Sequence, residues 1–414
     1  MSDNPLHLVI GGGVIGLCSA YFLGKAGHRV VVIDRDPSHR ESCSTRNAGM
    51  VAPSHFIPLA APGVISQGLK WMFNRRSPFF LRPRLSPDLW TWCWQFVRHS
   101  NRRHVANSEE LLRDLNLESR ALFEQLSEEL GFTLVRKGLL MLCESDAAFE
   151  EEKEVAEAAH RLGLEAEVCG PERLRELDPD VTMDAVGGVW FPQDCHLDSE
   201  KFLAAIRQGI LNHGGEFRDG EVEDFETSGG SCTAVILKSG ERIAADHVTI
   251  AGGSWSPAVM RRLGLRLLMQ GGKGYSFTIP NPTELPRLCS ILKEGRVAVT
   301  PMGETLRVAG TMEICGNDLS IDRIRLSGIV RAFCRAFPAF SPDDFEGLEP
   351  WSGLRPCSPD GLPYIGRTPG FANVVVATGH AMLGLSLGPV TGKLVTALAA
   401  GQSADHRLDP VRFA

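Results

Sequence analysis

Residues 6–34 read Leu-His-Leu-Val-Ile-Gly-Gly-Gly-Val-Ile-Gly-Leu-Cys-Ser-Ala-Tyr-Phe-Leu-Gly-Lys-Ala-Gly-His-Arg-Val-Val-Val-Ile-Asp. A short β-rich run, 6–10, leads into Gly11-Gly12-Gly13-Val14-Ile15-Gly16. Leu17, Ala20, Tyr21 and Leu23 then recur at helical spacing, which predicts a helix over 15–26 with Gly27 as its stop. Arg29–Ile33 predicts a second strand, ending at Asp34. Strand, GxGxxG, helix, strand and acid in about thirty residues are the fingerprint of a dinucleotide site. Gly11 allows the tight turn, Gly13 lets the backbone approach a pyrophosphate, and Gly16 lets helix and strand pack closely. The helix start presents free amides and the positive end of its dipole to the phosphates. Asp34 can accept hydrogen bonds from both ribose hydroxyls and disfavours a 2′-phosphate, so NADP is not expected. The motif does not separate NAD from FAD; its position at the start of a long chain leans to FAD.

The rest of the chain bounds the function class. Its 414 residues predict two to three domains. A 43% hydrophobic and 22% charged composition describes an ordinary globular protein, and the net charge of −7 argues against a basic field for nucleic acid. The 11 cysteines include no CxxC pair, so neither a zinc site nor any other metal centre is expected. The chain reads as reduced and cytoplasmic. No apolar run approaches the ~20 residues of a membrane span.

Residues 42–50, Ser-Cys-Ser-Thr-Arg-Asn-Ala-Gly-Met, suit a loop lying against a ligand. Segment 64–98 holds four of the seven tryptophans (Trp71, Trp90, Trp92, Trp94), with Lys70, Arg75, Arg76, Arg82 and Arg84 among them. Two readings stand: a helical core, or a face for a membrane surface or a quinone. Helices are predicted at 107–130, 146–162, 198–212, 322–336 and 388–400, and a strand pair within 132–143. A hairpin is expected about Ser239-Gly240, and a buried strand 247–251 ending in Ala-Gly-Gly would set small residues beside a cofactor. Gly274–Ile279, Arg296–Thr300 and Thr305–Gly310 suggest a separate antiparallel sheet. Strand 374–377 runs into a glycine-rich turn, 378–388, and a helix, offering a second helix start to an anionic group.

The chain resembles the FAD-dependent D-amino-acid dehydrogenases of the D-amino-acid oxidase, glycine oxidase and sarcosine oxidase superfamily. The likeness covers essentially the whole chain. It is carried by GGGVIG with Asp34, NAGMVAPSHFIPLAAPGVISQGLKWMF, KGYSFTIP, RVAVTPMGETLRVAGTMEICG, WSGLRPCSPDGLPYIG and ATGHAMLGLSLGP. It implies an α/β fold, in which a Rossmann-like FAD-binding domain (1–55, 195–265 and 346–414) interleaves with an α+β substrate domain on an antiparallel sheet (56–194 and 266–345). It implies that Gly11, Gly13, Val14, Ile15 and Gly16 hold the pyrophosphate, and that Asp34 and Arg35 serve the adenine ribose. Ser44, Thr45, Asn47, Ala48, Gly49 and Met50 would line the diphosphate and ring system, and Val222 would meet the adenine. Ala251, Gly252, Trp255 and Gly353 would close on the cofactor, with Gly379, His380, Leu383, Gly384, Leu385 and Ser386 under the flavin pyrimidine. Arg355 matches the arginine that clamps the substrate carboxylate, a task suited to a planar, permanently charged fork. Glycine oxidase relatives carry a further arginine three residues past their Gly-His motif; Leu383 stands there.

The resemblance implies oxidative deamination of a D-amino acid by hydride transfer from Cα to flavin N5, with electrons passed to a quinone or similar acceptor. His55 and Tyr275 join Arg355 as expected catalytic residues: His55 for the amine or a substrate hydroxyl, Tyr275 for the carboxylate or as a gate. His380 is expected to be structural. Neither Cys357 nor Cys315 matches a covalent flavin cysteine, so noncovalent FAD is expected. Met50, Met302 and Phe56 suggest a small, partly apolar substrate such as D-proline or 4-hydroxy-D-proline. The competing expectations are an oxygen-using glycine- or sarcosine-type amine oxidase, a flavin-binding subunit of an electron-transfer complex, and an NAD dehydrogenase. Peripheral membrane contact through 64–98 is the expected extra partner, and no nucleic acid is.

Overall fold

The computed structural model describes residues 5–36, 38 and 42–413. The opening motif folds as β1 (Leu6–Ile10), α1 (Val14–Lys25) and β2 (Arg29–Asp34). Both strands are nearly all buried because both faces of their sheet are covered, which is why they read as continuous apolar runs. The six-stranded sheet has the order Glu216–Asp219, β2, β1, His247–Ile250, Val374–Thr378, Tyr364–Arg367. All its pairings are parallel except the last. The strand order reverses between β1 and His247–Ile250, so the turns that follow both strands open one crevice, where ligands of such sheets bind. At this crossing a Cβ on Gly16 would lie 1.8 Å from the Gly11 carbonyl, so only glycine lets α1 sit this close to its strand.

The second large sheet has nine strands. Its main path runs Trp351–Cys357, Gln270–Ile279, Thr305–Ile314, Val297–Met302, Cys289–Leu292, Leu139–Cys143, Gly187–Phe191, Glu167–Cys169, with Phe79–Leu81 beside Thr305–Ile314. It is antiparallel except where Cys289–Leu292 meets Leu139–Cys143 and Phe79–Leu81 meets Thr305–Ile314. The alternation of these strands gives the sheet two different faces. Tyr275, Phe277, Val297, Val299, Leu306 and Val308 pack with Ile329 and Phe333 of the helix Arg323–Ala336. Gly274, Ser276, Ala298, Ala309 and Thr311 border a large cavity instead.

Two expectations are corrected here. Trp351–Cys357, placed by sequence in the nucleotide-binding segment 346–414, is an edge strand of the nine-stranded sheet. The strands within 132–143 do not pair with each other: Leu134–Val135 joins Cys195–Leu197, while Leu139–Cys143 joins the large sheet. The three strands expected as an antiparallel sheet do pair antiparallel. The predicted helices form with clear start signals. Asn101, Ser145, Asp198 and Asp322 each accept a first-turn amide. The longest helix, Arg102–Leu130, ends at Gly131 with φ +75°. From it Asn116 reaches the functional region: Ala52 N donates to Ser386 Oγ at 3.0 Å, and that hydroxyl donates to Asn116 Oδ1 at 2.6 Å.

Segment 64–98 forms the helix Val64–Met72, the strand Phe79–Leu81 and the helix Pro87–His99. Leu89 and Trp92 are buried, but Phe73 is 93% exposed, Leu85 fully so, and Trp90 and Trp94 more than half. No described helix is long and apolar enough to cross a membrane.

Candidate active site

One cavity of about 1160 Å³ lies between the two sheets. That exceeds the roughly 300–1,000 Å³ of ordinary small-molecule sites and leaves room for a dinucleotide and a second ligand. Gly11, Gly13, Val14 and Ile15 line it at the start of α1, where Gly13 is the N-cap and no side chain fills its role. Asp34 ends β2 and accepts the Gly12 and Asp36 amides, which pins the turn. Arg35 lies over the Trp255 ring at 4.1 Å, and Gly220, Glu221 and Val222 wall the same end.

The loop after β2 is held from the other sheet. Ser276 Oγ, Arg307 Nη1 and Thr300 Oγ1 donate to three successive carbonyls, those of Arg46, Asn47 and Ala48, at 3.0, 3.1 and 2.7 Å. Ser44 Oγ accepts the Val14 amide at 3.0 Å. Ser44, Asn47, Ala48, Gly49 and Met50 line the cavity, as do Ala251, Gly252, Gly353, His380, Leu383, Gly384, Leu385 and Ser386. Three expected cofactor residues do not. Gly16 is covered by Gly11, Thr45 gives its carbonyl to Ser199 Oγ at 2.7 Å, and Gly379 turns toward Tyr364. His380 keeps its Nε2 on Thr391 Oγ1 at 3.0 Å, and burial pulls its pKa down to about 3, a neutral structural ring. The glycine contacts, the helix start, Asp34 and the cavity size together fit a dinucleotide lying from Val222 to Leu385.

Arg355 lines the same cavity, near Cys43 of the 42–50 loop. Its guanidinium lies over Gly274, where a Cβ would be 2.1 Å from Nη1, and Nη1 donates to the Thr311 carbonyl at 2.8 Å. No carboxylate pairs with it among the described residues. Burial lowers its pKa, so its charge is short of compensation and an entering carboxylate would supply it. The Thr311 carbonyl is available because the strand bulges. Lys273 opposes Glu313 and Tyr275 opposes Gly310, so Gly274 faces two residues, Thr311 and Met312. Thr311 has φ +69° there.

Tyr275 borders the same cavity, but its side chain is committed elsewhere. It stands on the opposite face of its strand from Gly274, with its ring in the core and its hydroxyl bonded to Glu313 Oε2 at 3.2 Å and the Asp322 amide at 3.3 Å. Lys273 is likewise committed, to Asp318 at 3.0 Å and the Ser320 carbonyl at 2.7 Å. Of the apolar candidates only Met50 borders the cavity; Phe56 and Met302 are buried outside it. His55 does line the cavity. Burial, and then nearby Arg296, hold its pKa at about 4. Sequence reasoning missed Ser54, Arg296, Ala298, Ala309 and Thr311 on the wall, and Asp194 behind Ser54. All but Asp194 lie within the stretches that carry the family likeness, but nothing in their own side chains singled them out. Only strand alternation about Val297 and Val299 hinted at Ala298.

The family model described as "DAO: FAD dependent oxidoreductase" matches residues 7–398. A D-amino acid dehydrogenase of Paramagnetospirillum magneticum is 34% identical over 411 residues, 97% of this chain and 96% of the relative. One of Vibrio atlanticus is 31% identical over 410 residues, 97% of each. Among solved structures, glycine oxidase from Geobacillus kaustophilus superposes with a TM-score of 0.77 at 23% identity, over 99% of this chain and 100% of that one. L-proline dehydrogenase from P. horikoshii gives 0.73 at 19%, over 100% and 98%.

Proposed function

The chain belongs to the FAD-dependent oxidoreductase (DAO) family, and from that premise we propose that it oxidatively deaminates a D-amino acid and passes the electrons to a quinone or similar acceptor. The observation that carries this is Arg355, a guanidinium that lines the cavity with no carboxylate partner among the described residues. It binds the substrate carboxylate, and Gly274 and the Thr311 carbonyl fix its orientation. FAD is held noncovalently, by the α1 amides, Asp34, the 44–50 loop and the 383–386 turn. Bound FAD supplies the two-electron acceptor for the substrate hydride. The helix Gly388–Ala399 begins just past Ser386 and favours negative charge at that end of the site. The substrate imine leaves and hydrolyses, or stays cyclic if the amine is secondary.

Ala298 and Ala309 leave a small wall, and His55 adds one polar group to it. A compact substrate such as D-proline or 4-hydroxy-D-proline suits that wall. The D preference follows from the likeness to D-amino acid dehydrogenases; the fold is shared with an L-proline dehydrogenase and does not decide it. Segments 1–55, 195–265 and 346–414, less the strand Trp351–Cys357, are the FAD-binding part. Segment 64–98, with Phe73, Leu85, Trp90 and Trp94 exposed and Arg75, Arg76, Arg82 and Arg84 in its sequence, is the contact with an anionic membrane from which an acceptor arrives.

The test is the visible spectrum of the purified protein without oxygen. D-proline is expected to bleach the flavin band and L-proline to leave it. Air should then restore it only slowly, whereas fast restoration with peroxide would make the protein an oxidase. A flavin that no D-amino acid reduces would overturn the proposal.

A further inference from the structure

The strand pairing that closes the small sheet also builds a hydrogen-bonded chain that the carboxylate clamp does not use. Met50 pairs with His196 and Val51 with Cys195, which sets Asp194 against the turn at Ser54. The Ser54 amide donates to Asp194 Oδ1 at 3.1 Å, and its hydroxyl donates to Oδ2 at 2.5 Å. The hydroxyl has one proton, so toward His55 Nδ1, 3.1 Å away, Oγ is the acceptor. Nδ1 therefore carries the hydrogen, and Nε2 is left with a lone pair. Nε2 has no partner among the described residues and is not sealed inside the protein, while His55 lines the cavity. Asp194 is fully buried and Ser54 nearly so. The chain thus runs from the cavity wall to a carboxylate that bulk water does not reach.

We propose that His55, Ser54 and Asp194 are a proton relay that takes the ammonium proton from the bound amino acid. The substrate N–H bond breaks as His55 Nε2 gains the proton, Nδ1–H passes to Ser54 Oγ, and the Ser54 hydroxyl proton passes to Asp194 Oδ2. The ammonium becomes a neutral amine and the carboxylate a neutral acid, so the count of protons and charges is conserved. The amine lone pair can then assist loss of hydride from Cα. The relay rests on Arg355 holding the substrate carboxylate. The clamp lies over the strands Gln270–Ile279 and Thr305–Ile314, and Arg296, the cation whose field reaches His55, immediately precedes the next strand, Val297–Met302.

The charges around the chain suit this direction of transfer. Arg296 opposes a lasting imidazolium on His55, and burial already keeps that ring neutral at pH 7. Burial pushes the Asp194 carboxyl up to about 7, against the Ser54 hydrogen bonds and the field of Arg120. Glu124 pairs with Arg120, and Cys195 and Cys289 are the remaining titratable neighbours of Asp194. Further along the wall, Lys293 and Glu152 neutralise each other at 2.5 Å, and Glu151 is exposed.

The test compares pH profiles of kcat/KM for D-proline and D-alanine in the flavin-loaded wild type, Asp194→Asn, Ser54→Ala and Ser54→Thr. Wild-type activity should fall as pH drops below about 7, where Asp194 is already protonated. Asp194→Asn and Ser54→Ala should lose about tenfold or more at neutral pH. That loss should shrink as pH rises toward the pKa of the free substrate's ammonium, where a growing share arrives with its amine free, and Ser54→Thr should restore the wild-type profile. A loss that is the same at every pH would make the chain structural and overturn the relay, as would unchanged profiles. Should Asp194→Asn not retain flavin, Ser54→Ala decides alone. A second readout is infrared: binding D-proline without oxygen should raise a protonated carboxyl band that Asp194→Asn lacks, and absence of that band in the wild type would also overturn the relay. Arg355→Met separates the two ideas. If it leaves KM unchanged the clamp reading falls, whereas if it raises KM while the Asp194 and Ser54 variants behave as wild type, only the relay falls.

Discussion

Thr311 is β-branched and held in the left-handed region, a conformation costing roughly 1–2 kcal/mol for a residue with a side chain. The surrounding sheet sustains it because the same bulge frees a carbonyl for Arg355. Thr311→Gly is expected to raise thermal stability slightly while leaving substrate affinity within about twofold, since only the backbone is used. Gly274→Ala should displace the guanidinium and raise KM by about tenfold or more, and Arg355→Met by more still, because a charge-assisted pair is lost. Steady-state kinetics beside a melting curve checks all three. Arg355 could be named from its Gly-Leu-Arg-Pro setting. Thr311 could not, because a bulge leaves no mark in a strand of mixed residues. Tyr275 was readable as a cavity residue but its bonds to Glu313 and the Asp322 amide were not, since alternation groups it with Lys273 and Phe277 without saying which face meets the ligand.

At the scale of elements, the nucleotide motif was legible down to its turns because each glycine there answers a local steric demand. The segment 64–98 was legible only as apolar. Its periodicity does not say that Leu89 and Trp92 turn inward while Trp90 and Trp94 turn out, since that depends on where the helix docks. If the outward face meets lipid, Phe73→Ser with Trp90→Ser should abolish sedimentation with vesicles containing anionic phospholipid. Flavin content and activity with a soluble dye should stay near wild type. Vesicle binding that survives both changes would place the contact elsewhere. The small sheet that sets Asp194 against Ser54 was beyond sequence reasoning altogether, because its strands Met50–Val51 and Cys195–Leu197 are two and three residues long and lie far apart in the chain.

The whole molecule carries an unusual number of uncharged histidines. Burial holds His55 and His196 at about 4 and His380 at about 3, and lowers His7, His28, His104 and His247 as well. Each titrates near about 6.5 when unfolded. Below that pH the unfolded chain binds more protons than the folded one, so their stabilising effect is complete above pH 6.5 and is lost as pH falls toward 4. Asp194 has the opposite sign: its folded pKa is raised, so its contribution favours the fold at low pH and is lost as pH rises through about 7. Burial raises Glu144 and Asp178 as well, but seven imidazoles outweigh three carboxylates, and the melting temperature should drop steadily from pH 7 to pH 5. A flat profile would mean that these rings are already charged in the fold.

Three side chains of the nine-stranded sheet, Ser276, Thr300 and Arg307, grip consecutive carbonyls of the loop that leaves the nucleotide fold. The two halves are consequently not interchangeable parts. A chimera that imports a relative's substrate half onto this N-terminal half inherits its cofactor loop from one parent and that loop's anchors from the other. Transplants that carry residues 44–50 together with their new sheet should load flavin, and those that divide them should come out of purification colourless.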